Sequence, residues 1–318
     1  MKRITFSVFA SILLLIASAS ILWMTREAKA VSVQINIKDL PEYGLKLIAP
    51  TDPTFDGKLS TLLRNHPNSV AEESKPYSVL LENTGKKTVV GYRLRWDLIK
   101  ADGTVSMRQA GGVNMGAFMD EARPGLENPS LSSGFAIGPR AMAFVSPAGS
   151  LGENDNGGMT GYASGSKDRA ALDRLRQSAK DKRYPSLADV VIADIQNCTS
   201  MTVSLDGVFF EDGTFVGPDT TEFFVMVEAR VNARRDLMQE IAFAVERKRS
   251  MDAIFDYINE VASSPLPVQK MNQGDLYNLF KRSDAEEMLR MKAALSSQKA
   301  VGMALQQSRK AWSKLRKL

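Results

Sequence analysis

The chain of 318 residues has one cysteine, Cys198, and one histidine, His66. A single cysteine rules out an internal disulfide, and one cysteine with one histidine cannot complete the ligand shell of a usual zinc site. The glycine-rich motifs G-x-x-x-x-G-K-[S/T] and G-x-G-x-x-G, whose backbone amides bind phosphates, are also missing. There is therefore no reason to expect a disulfide scaffold, a zinc enzyme or a motif-based nucleotide-binding protein.

Nucleophilic catalysis would depend on the same two residues, because a serine or cysteine triad would need His66 as its base. His66 lies between Asn65 and Pro67 in a polar connection, which is typical of a solvated loop histidine. Cys198 is expected to be a small buried hydrophobe. We therefore predict no catalytic, metal-binding or cofactor-binding residue. A pair of Asp or Glu carboxylates acting as general acid and base stays open, since their pairing in space is not visible in a sequence.

Composition indicates an ordinary globular chain, with 44% hydrophobic and 24% charged residues. The net charge of +5 is unevenly distributed, with an excess of three basic residues in 1–30, three acidic residues in 31–219 and five basic residues in 220–318. Nucleic-acid binding needs a concentrated basic face rather than a small global excess. Only the extreme C-terminus has such a concentration, so no nucleic-acid partner is expected.

The N-terminus has the pattern of an export signal in residues 1–30. Lys2 and Arg3 precede an apolar run from 4 to 24, and Ala28-Lys29-Ala30 offers a small-x-small cleavage site. The apolar run is long enough to cross a bilayer, so an uncleaved anchor is the alternative to a cleaved signal. Either way, the rest of the chain is expected outside the cytoplasm, in the periplasm or the extracellular space.

Residues 77–105 are the segment around which the predicted fold is organised. Tyr92, Leu94, Trp96 and Leu98 alternate with polar residues, which is the period of a half-buried strand, so Trp96 is predicted to lie in the core. The turns at 83–86 and 102–103 contain Asn-x-Gly and Asp-Gly, and each is predicted to close a β-hairpin.

This pattern, Leu81-Glu-Asn-Thr-Gly-Lys-Lys87 followed by an aromatic-rich strand, resembles bacterial immunoglobulin-like or fibronectin-like sandwich modules. The resemblance covers about thirty residues and implies an antiparallel β-sandwich without implying a function. It departs from antibody-type domains, because Trp96 has no cysteine pair beside it.

Four segments are predicted along the chain: a signal or anchor (1–30), a β-sandwich with loop and helix insertions (31–219), a helical region (220–262), and a linker with a basic terminal helix (263–318). Residues 49–75 are interpreted as a connection, and residues 166–183 as an inserted helix. Residues 188–195 are predicted to form a strand. Asp219 is predicted as the N-cap of a helix whose apolar residues from Phe224 to Val245 recur three and four positions apart, with an interruption at Arg234. Ser250 is predicted to cap a shorter helix, and the last helix is predicted to begin at the Ser283–Glu286 capping box and to run toward Leu318.

Two segments are candidates for binding. Residues 152–158 contain the oxygen ligands and glycines of a calcium loop but lack the EF-hand order, so a solvated loop is the alternative. Residues 309–318 place Trp312 and Leu315 among five basic residues, a pattern that suits an anionic membrane surface or an envelope protein. The alternative for this segment is a solvated helix whose tryptophan packs on neighbouring helices.

These observations favour an exported, non-catalytic binding or structural protein of the cell envelope, since a sandwich can bind ligands through surface loops alone. The alternative is a carboxylate-based hydrolase acting on envelope polymers. Two carboxylates facing each other across a concave pocket would favour the hydrolase.

Overall fold

The computed structural model describes residues 34–63, 71, 74–118, 136–147, 149–152, 195, 198–265, 272–309, 312 and 314–318. Within these ranges, two β-sheets are followed by a group of α-helices, as predicted at this level. The strands are β1 (Gln34–Lys38), β2 (Leu45–Ile48), β3 (Val79–Asn83), β4 (Val89–Lys100), β5 (Val105–Val113), β6 (Met142–Ser146), β7 (Gly149–Gly152), β8 (Cys198–Phe210), β9 (Thr214–Val216) and β10 (Arg316–Lys317). The helices are α1 (Phe55–Leu63), α2 (Phe223–Glu246), α3 (Met251–Ala262), α4 (Gln273–Ala294) and α5 (Ser297–Ser308).

The larger sheet has the strand order β10-β9-β8-β4-β5, and β1 pairs with the same side of β8 as β9 does. Both fit because β8 is 13 residues long: β1 pairs with 200–204, and β9 pairs with 208–209. The β1–β8 and β9–β10 pairs are parallel, and the other pairs are antiparallel. The prediction of a wholly antiparallel arrangement was therefore wrong for both added strands, because each reaches β8 or β9 from a distant part of the chain.

The smaller sheet is antiparallel, in the order β2-β3-β6-β7, and it shares a hydrophobic core with the larger one. Their shared core takes apolar side chains from both sheets: Leu45, Leu47, Val79, Leu81 and Val145 from the smaller, and Tyr92, Leu94, Trp96, Leu98, Val203 and Leu205 from the larger. The prediction for Trp96 is confirmed, since its side chain is fully buried and its Nε1 donates to the Tyr77 carbonyl at 3.1 Å.

The turn at Asn83-Thr84-Gly85 does not close a hairpin, which corrects the sequence prediction. It carries the chain from β3 in the smaller sheet to β4 in the larger one. Asn83 is buried; its Oδ1 accepts from Gly85 N, and its Nδ2 donates to the carbonyls of Lys87 and Ile137. The Asn83 side chain thus stabilises an Asx turn, through which the chain passes from the smaller sheet to the larger one. The Asp102-Gly103 turn does join β4 to β5 as a hairpin, as predicted, with Gly103 at φ 80°.

Helix α1 covers the outer face of the smaller sheet, although residues 49–75 were interpreted as a connection. Its buried residues Phe55, Leu59 and Leu63 pack on Ile48, Leu80 and Phe144. The helix contains Gly57 and Ser60, which weaken the propensity signal, and its stability comes mainly from this packing.

Helix α2 begins where the chain leaves β9, and its apolar seam is the one predicted, with Val227, Val231, Met238 and Ile241 buried. Asp219 was predicted as its N-cap. The structure places Glu222 at that position in the left-handed region, while Asp219 Oδ1 accepts from Phe224 N at 3.0 Å. Asp219 therefore still satisfies one free amide of the helix start.

Helices α2, α3, α4 and α5 share a second core, built from Leu237, Ile241, Ile254, Phe255, Ile258, Met288 and Val301. The predicted cap of α3 is confirmed, since Ser250 Oγ accepts from Ala253 N at 3.2 Å. The predicted start at Ser283 was wrong, because α4 begins earlier, behind a capping box of Asn272 and Asp275, and runs through Ser283. The next residue, Asp284, is buried within the bundle rather than exposed in a first turn.

The C-terminal tail is not a helix, which corrects the predicted basic terminal helix. α5 ends at Ser308, and the chain returns to the larger sheet, where β10 pairs with β9. Trp312 and Leu315 pack on the cluster formed by Phe209, Phe215 and Phe223 at the start of α2. The last described residues therefore supply a strand to the larger sheet.

Several predictions lie outside the described residues: the signal or anchor in residues 1–30, the inserted helix at 166–183, and a strand predicted at 188–195 except for Ile195. Within the described ranges, the helices are all too short or too polar to cross a bilayer.

Candidate functional site

The sequence-predicted candidates are not brought together in the described structure. His66 and residues 153–158 of the glycine-rich loop lie outside the described residues. Cys198 is buried at the start of β8, 2% exposed, as expected of a small hydrophobe. Trp312 is half-buried against the sheet rather than displayed on a basic helix.

Asp206 forms the polar connection between β8 and helix α2. Its Oδ1 accepts from the amide and hydroxyl of Thr220, and its Oδ2 accepts from the same groups of Thr221, with amide distances of 2.8 and 3.0 Å. Burial disfavours the ionised form, but these four hydrogen bonds outweigh burial and lower the pKa of Asp206. Arg93 lies beside this carboxylate with its guanidinium over the Phe223 ring at 4.8 Å, and burial lowers its pKa. The arrangement positions the start of α2.

Two carboxylates on α2 bind side chains of the neighbouring helices. Tyr277 on α4 donates to Asp236 Oδ2 at 3.0 Å, and Tyr257 on α3 donates to Glu240. Lys281 Nζ lies 2.8 Å from Glu240 Oε2. Burial first, and then the neighbouring carboxylate, raises the pKa of Tyr277 to about 12, so its hydroxyl stays a donor at neutral pH. These hydrogen bonds and the Lys281–Glu240 ion pair join helices α2, α3 and α4.

A buried ion pair lies halfway along α2, where the apolar seam is interrupted. Arg234 contacts Asp284 of α4 at 3.3 Å, and Gln307 of α5 accepts from Arg234 Nε. Asp284 Oδ2 is buried without a donor in the described part of the chain. Burial raises the pKa of Asp284 to about 6 even though Arg234 and Arg230 favour its ionised form.

A groove of about 330 Å³ lies between the C-terminal half of α2 and the end of α5. The α2 wall consists of Gln239, Ala242, Phe243, Val245 and Glu246. The α5 wall consists of Leu305, Ser308 and Arg309. Most of these positions are three or four residues apart, so each helix presents one face to the groove. Phe243 is 52% exposed, which is unusual for so large an apolar side chain, and the guanidinium of Arg247 lies 4.0 Å from the centre of its ring.

The turn that follows α2 places three basic residues next to this groove. Lys248 N donates to the Val245 carbonyl and Arg249 N to the Ala244 carbonyl, the pattern of a Schellman motif. Lys248 occupies the left-handed position at φ 54°, where glycine is usual. Arg247, Lys248 and Arg249 are exposed, as is Arg309 across the groove. We call Arg247, Lys248, Arg249 and Arg309 the basic rim.

The basic rim lacks acidic partners among the residues described, unlike some of the other basic residues of the bundle. Arg234, Lys281 and Arg282 each contact a carboxylate. Over the described residues, none of the four rim side chains is in an ion pair with a carboxylate. Two acids lie nearby in the chain, Glu246 in the groove and Asp252 in the first turn of α3.

The hydrolase hypothesis requires a second carboxylate opposite the first. Among the described residues that line the groove, Glu246 is the single carboxylate. A search of the described residues for three or more His, Cys, Asp or Glu side chains able to hold a metal ion finds no such group.

Neither Phe243 nor the basic rim was identified from the sequence. The available signal was the run Glu246-Arg-Lys-Arg249 directly before the Ser250 cap, together with a phenylalanine that falls off the apolar seam of α2. A large aromatic on the polar face of an amphipathic helix, followed by a basic turn, is a combination that a helical-wheel analysis can find.

Comparison with known proteins yields no family model that matches this chain, and no curated protein or solved structure with significant similarity to it.

Proposed function

We propose that the chain is an exported, non-catalytic binding protein of the cell envelope, in which the sandwich is the scaffold and the helical bundle carries the binding surface. The observation that carries the proposal is the groove between α2 and α5, with a half-exposed Phe243 and the basic rim beside it. Contact surfaces of this kind combine a central aromatic with a polar, charged edge.

The attachment of α2 at the opposite end of the bundle also supports the proposal that the sandwich is the scaffold and the bundle carries the binding surface. Helix α2 is fixed to the sandwich through Asp206, Thr220 and Thr221 and through the C-terminal tail. A rigidly attached helix holds its far end at a defined distance from the scaffold, which favours binding there.

We also propose that the sandwich is an immunoglobulin-like module. Two sheets that share one core around a buried tryptophan, and the turn after β3 that leads from one sheet to the other, support this assignment. The parallel strands β1 and β10, and the helix on the outer face of the smaller sheet, would then be additions to the module. An experimental structure in which the two sheets do not face each other would overturn it.

Export is proposed from residues 1–30, and a fusion experiment tests it. A reporter that is active only after export is joined behind Leu318, whose side chain is 74% exposed, so a fusion there should not disturb packing. We expect activity with residues 1–30 present and none when they are deleted. A cytoplasm-specific reporter that is active on the full chain would contradict the proposal.

A further inference from the structure

We propose that the groove between α2 and α5 binds an acidic, amphipathic segment of another envelope protein. One apolar side chain of that segment inserts beside Phe243 and Leu305, and its carboxylates face the basic rim. This inference rests on the proposed binding function and names the chemistry of the partner.

Phe243 supplies the apolar part of the groove. Its ring forms part of the α2 wall, the small Ala242 beside it leaves room, and Leu305 faces it from α5. An apolar side chain entering here would be covered by these three residues and would remove the exposed face of Phe243 from water. Recognition of a helix in a groove uses anchors of this type, placed three or four residues apart on the partner.

The basic rim supplies the charged part of the site. Its four side chains carry positive charge, and the two nearby acids, Glu246 and Asp252, offset half of it. The Schellman turn fixes the backbone that carries Arg247, Lys248 and Arg249, so these side chains emerge from a defined turn. A partner with carboxylates around its apolar anchor complements this surface, and complementary charge raises both specificity and association rate.

The shape of the site favours a protein segment over a membrane surface. A bilayer contact needs apolar side chains that project beyond the basic ones. Here Phe243 is part of a groove wall, and Arg247 covers one side of its ring. The concavity suits an inserted side chain.

The test selects peptides from a displayed library of random 16-residue sequences, with the purified full chain as the target. We expect enriched peptides to be acidic and to carry apolar residues spaced by three or four. Their affinity, measured by fluorescence anisotropy, should fall at least 10-fold for Phe243→Ser and for Arg309→Glu. Raising the salt concentration should weaken binding further, because exposed charges are screened.

Two matched variants control for the exposure of the side chain replaced in Phe243→Ser and for the charge reversed in Arg309→Glu. Leu295→Ser changes a side chain that is also 52% exposed but lies in the turn between α4 and α5. Arg290→Glu reverses an exposed charge on α4, outside the groove. Both should bind the selected peptides within twofold of the unchanged chain. Thermal unfolding of all four variants is recorded, so that a loss of binding is separated from a loss of fold.

The outcomes distinguish the partner from the general function. Peptides that bind all four variants equally would show that the groove is not the binding site, without contradicting the proposed binding function. A selection that yields no acidic enrichment would overturn the partner chemistry. Liposomes of anionic phospholipid form a parallel arm: sedimentation with them that depends on Phe243, without peptide binding, would replace the protein segment by a membrane. The reporter fusion behind Leu318 tests separately whether the chain is exported.

Discussion

The two ends of helix α2 lie in opposite chemical surroundings, although one uninterrupted helix joins them. At the N-terminal end, Asp206 accepts four hydrogen bonds, and aromatic rings from the sheet and the tail cover the first turn. At the C-terminal end, Phe243 is half exposed, and the basic rim is without carboxylate partners in the described structure. The first end is held by buried hydrogen bonds and ring contacts, whereas the second exposes an aromatic ring and positive charge. Mutations at the two ends should therefore have different consequences, and the middle of the helix provides an intermediate case.

The largest effect is expected from Asp206→Ala at the N-terminal end. The change leaves two amides and two hydroxyls without their acceptor, so the free energy of unfolding should fall by about 3 to 5 kcal/mol. Since the pKa of Asp206 is lowered in the folded state, this contribution is present above the unfolded pKa and is lost as pH falls through the folded one. Urea denaturation at pH 7 measures the loss.

A matched control for this change is Asp102→Ala. Asp102 accepts from the amide and hydroxyl of Thr104 in the same way, but in an exposed turn. Its replacement should cost far less stability than that of Asp206. Equal losses in the two variants would show that the connection to α2 has no special importance.

The next effect concerns the tail at the same end. Trp312→Ala removes a half-buried aromatic from the cluster around Phe209 and Phe215, and the free energy of unfolding should fall by about 1 to 3 kcal/mol. Trp312→Phe keeps the apolar contact and removes an Nε1 that is buried without an acceptor in the described structure, so stability should be retained. Thermal unfolding compares the variants, and an unchanged midpoint for Trp312→Ala would mean that the tail is not bound in solution.

The third prediction concerns Asp284 of α4, which pairs with Arg234 in the middle of α2. Burial raises the pKa of Asp284 to about 6 from an unfolded value of 3.8, so protonation stabilises the folded state. The favourable contribution of protonated Asp284 to stability is therefore complete below the unfolded pKa and is lost as pH rises through 6. Asp284→Asn should match the unchanged chain near pH 4 and be more stable at pH 7.5, by an amount on the order of 2 kcal/mol.

The measurement is the difference in unfolding free energy between the two proteins from pH 4 to pH 7.5. A difference that stays constant would mean that Arg234 keeps Asp284 ionised throughout. A less stable variant at pH 7.5 would mean that the ion pair outweighs the cost of burying its charges.

The smallest effect is expected at the C-terminal end. Lys248 holds a left-handed conformation that glycine adopts without strain, so Lys248→Gly should raise the free energy of unfolding by about 0.5 to 1 kcal/mol. Arg290→Gly, in the exposed interior of α4, should lower it by a similar amount, because glycine is unfavourable within a helix. Chemical denaturation of both variants checks the sign, and destabilisation by Lys248→Gly would show that the lysine side chain contributes more than the turn costs.

The elements predicted well are those whose signal is local. The alternation around Trp96 placed β4 and its buried face, and the spacing of Val227, Val231 and Met238 identified α2. The Ser250 cap fixed the start of α3. In each case, a short stretch of sequence determines the structure through periodicity or a single hydrogen bond.

The elements predicted poorly depend on distant partners. The turn after Asn83 has hairpin chemistry, but Asn83 also bonds to Ile137, more than fifty residues away, and the chain changes sheets instead. The residues after Ser308 have helical composition, yet Trp312 and Leu315 find a better apolar surface on the sheet. The groove was missed for the same reason, since its two walls belong to helices about sixty residues apart in the chain.

The return of the tail has a consequence for the order in which the protein can fold. Arg316 pairs with Thr214, and β1 pairs with a strand about 165 residues later, so the larger sheet joins the first described residues to the last. Contacts of such long sequence separation form slowly, because the chain between them must first be ordered. The edge of the sheet at β9 is therefore completed only by residues that follow all the helices of the bundle in the chain. A chain that stops short of Trp312 leaves the rings of Phe209 and Phe215 uncovered, and we expect such incomplete chains to be the ones that a protease or chaperone recognises.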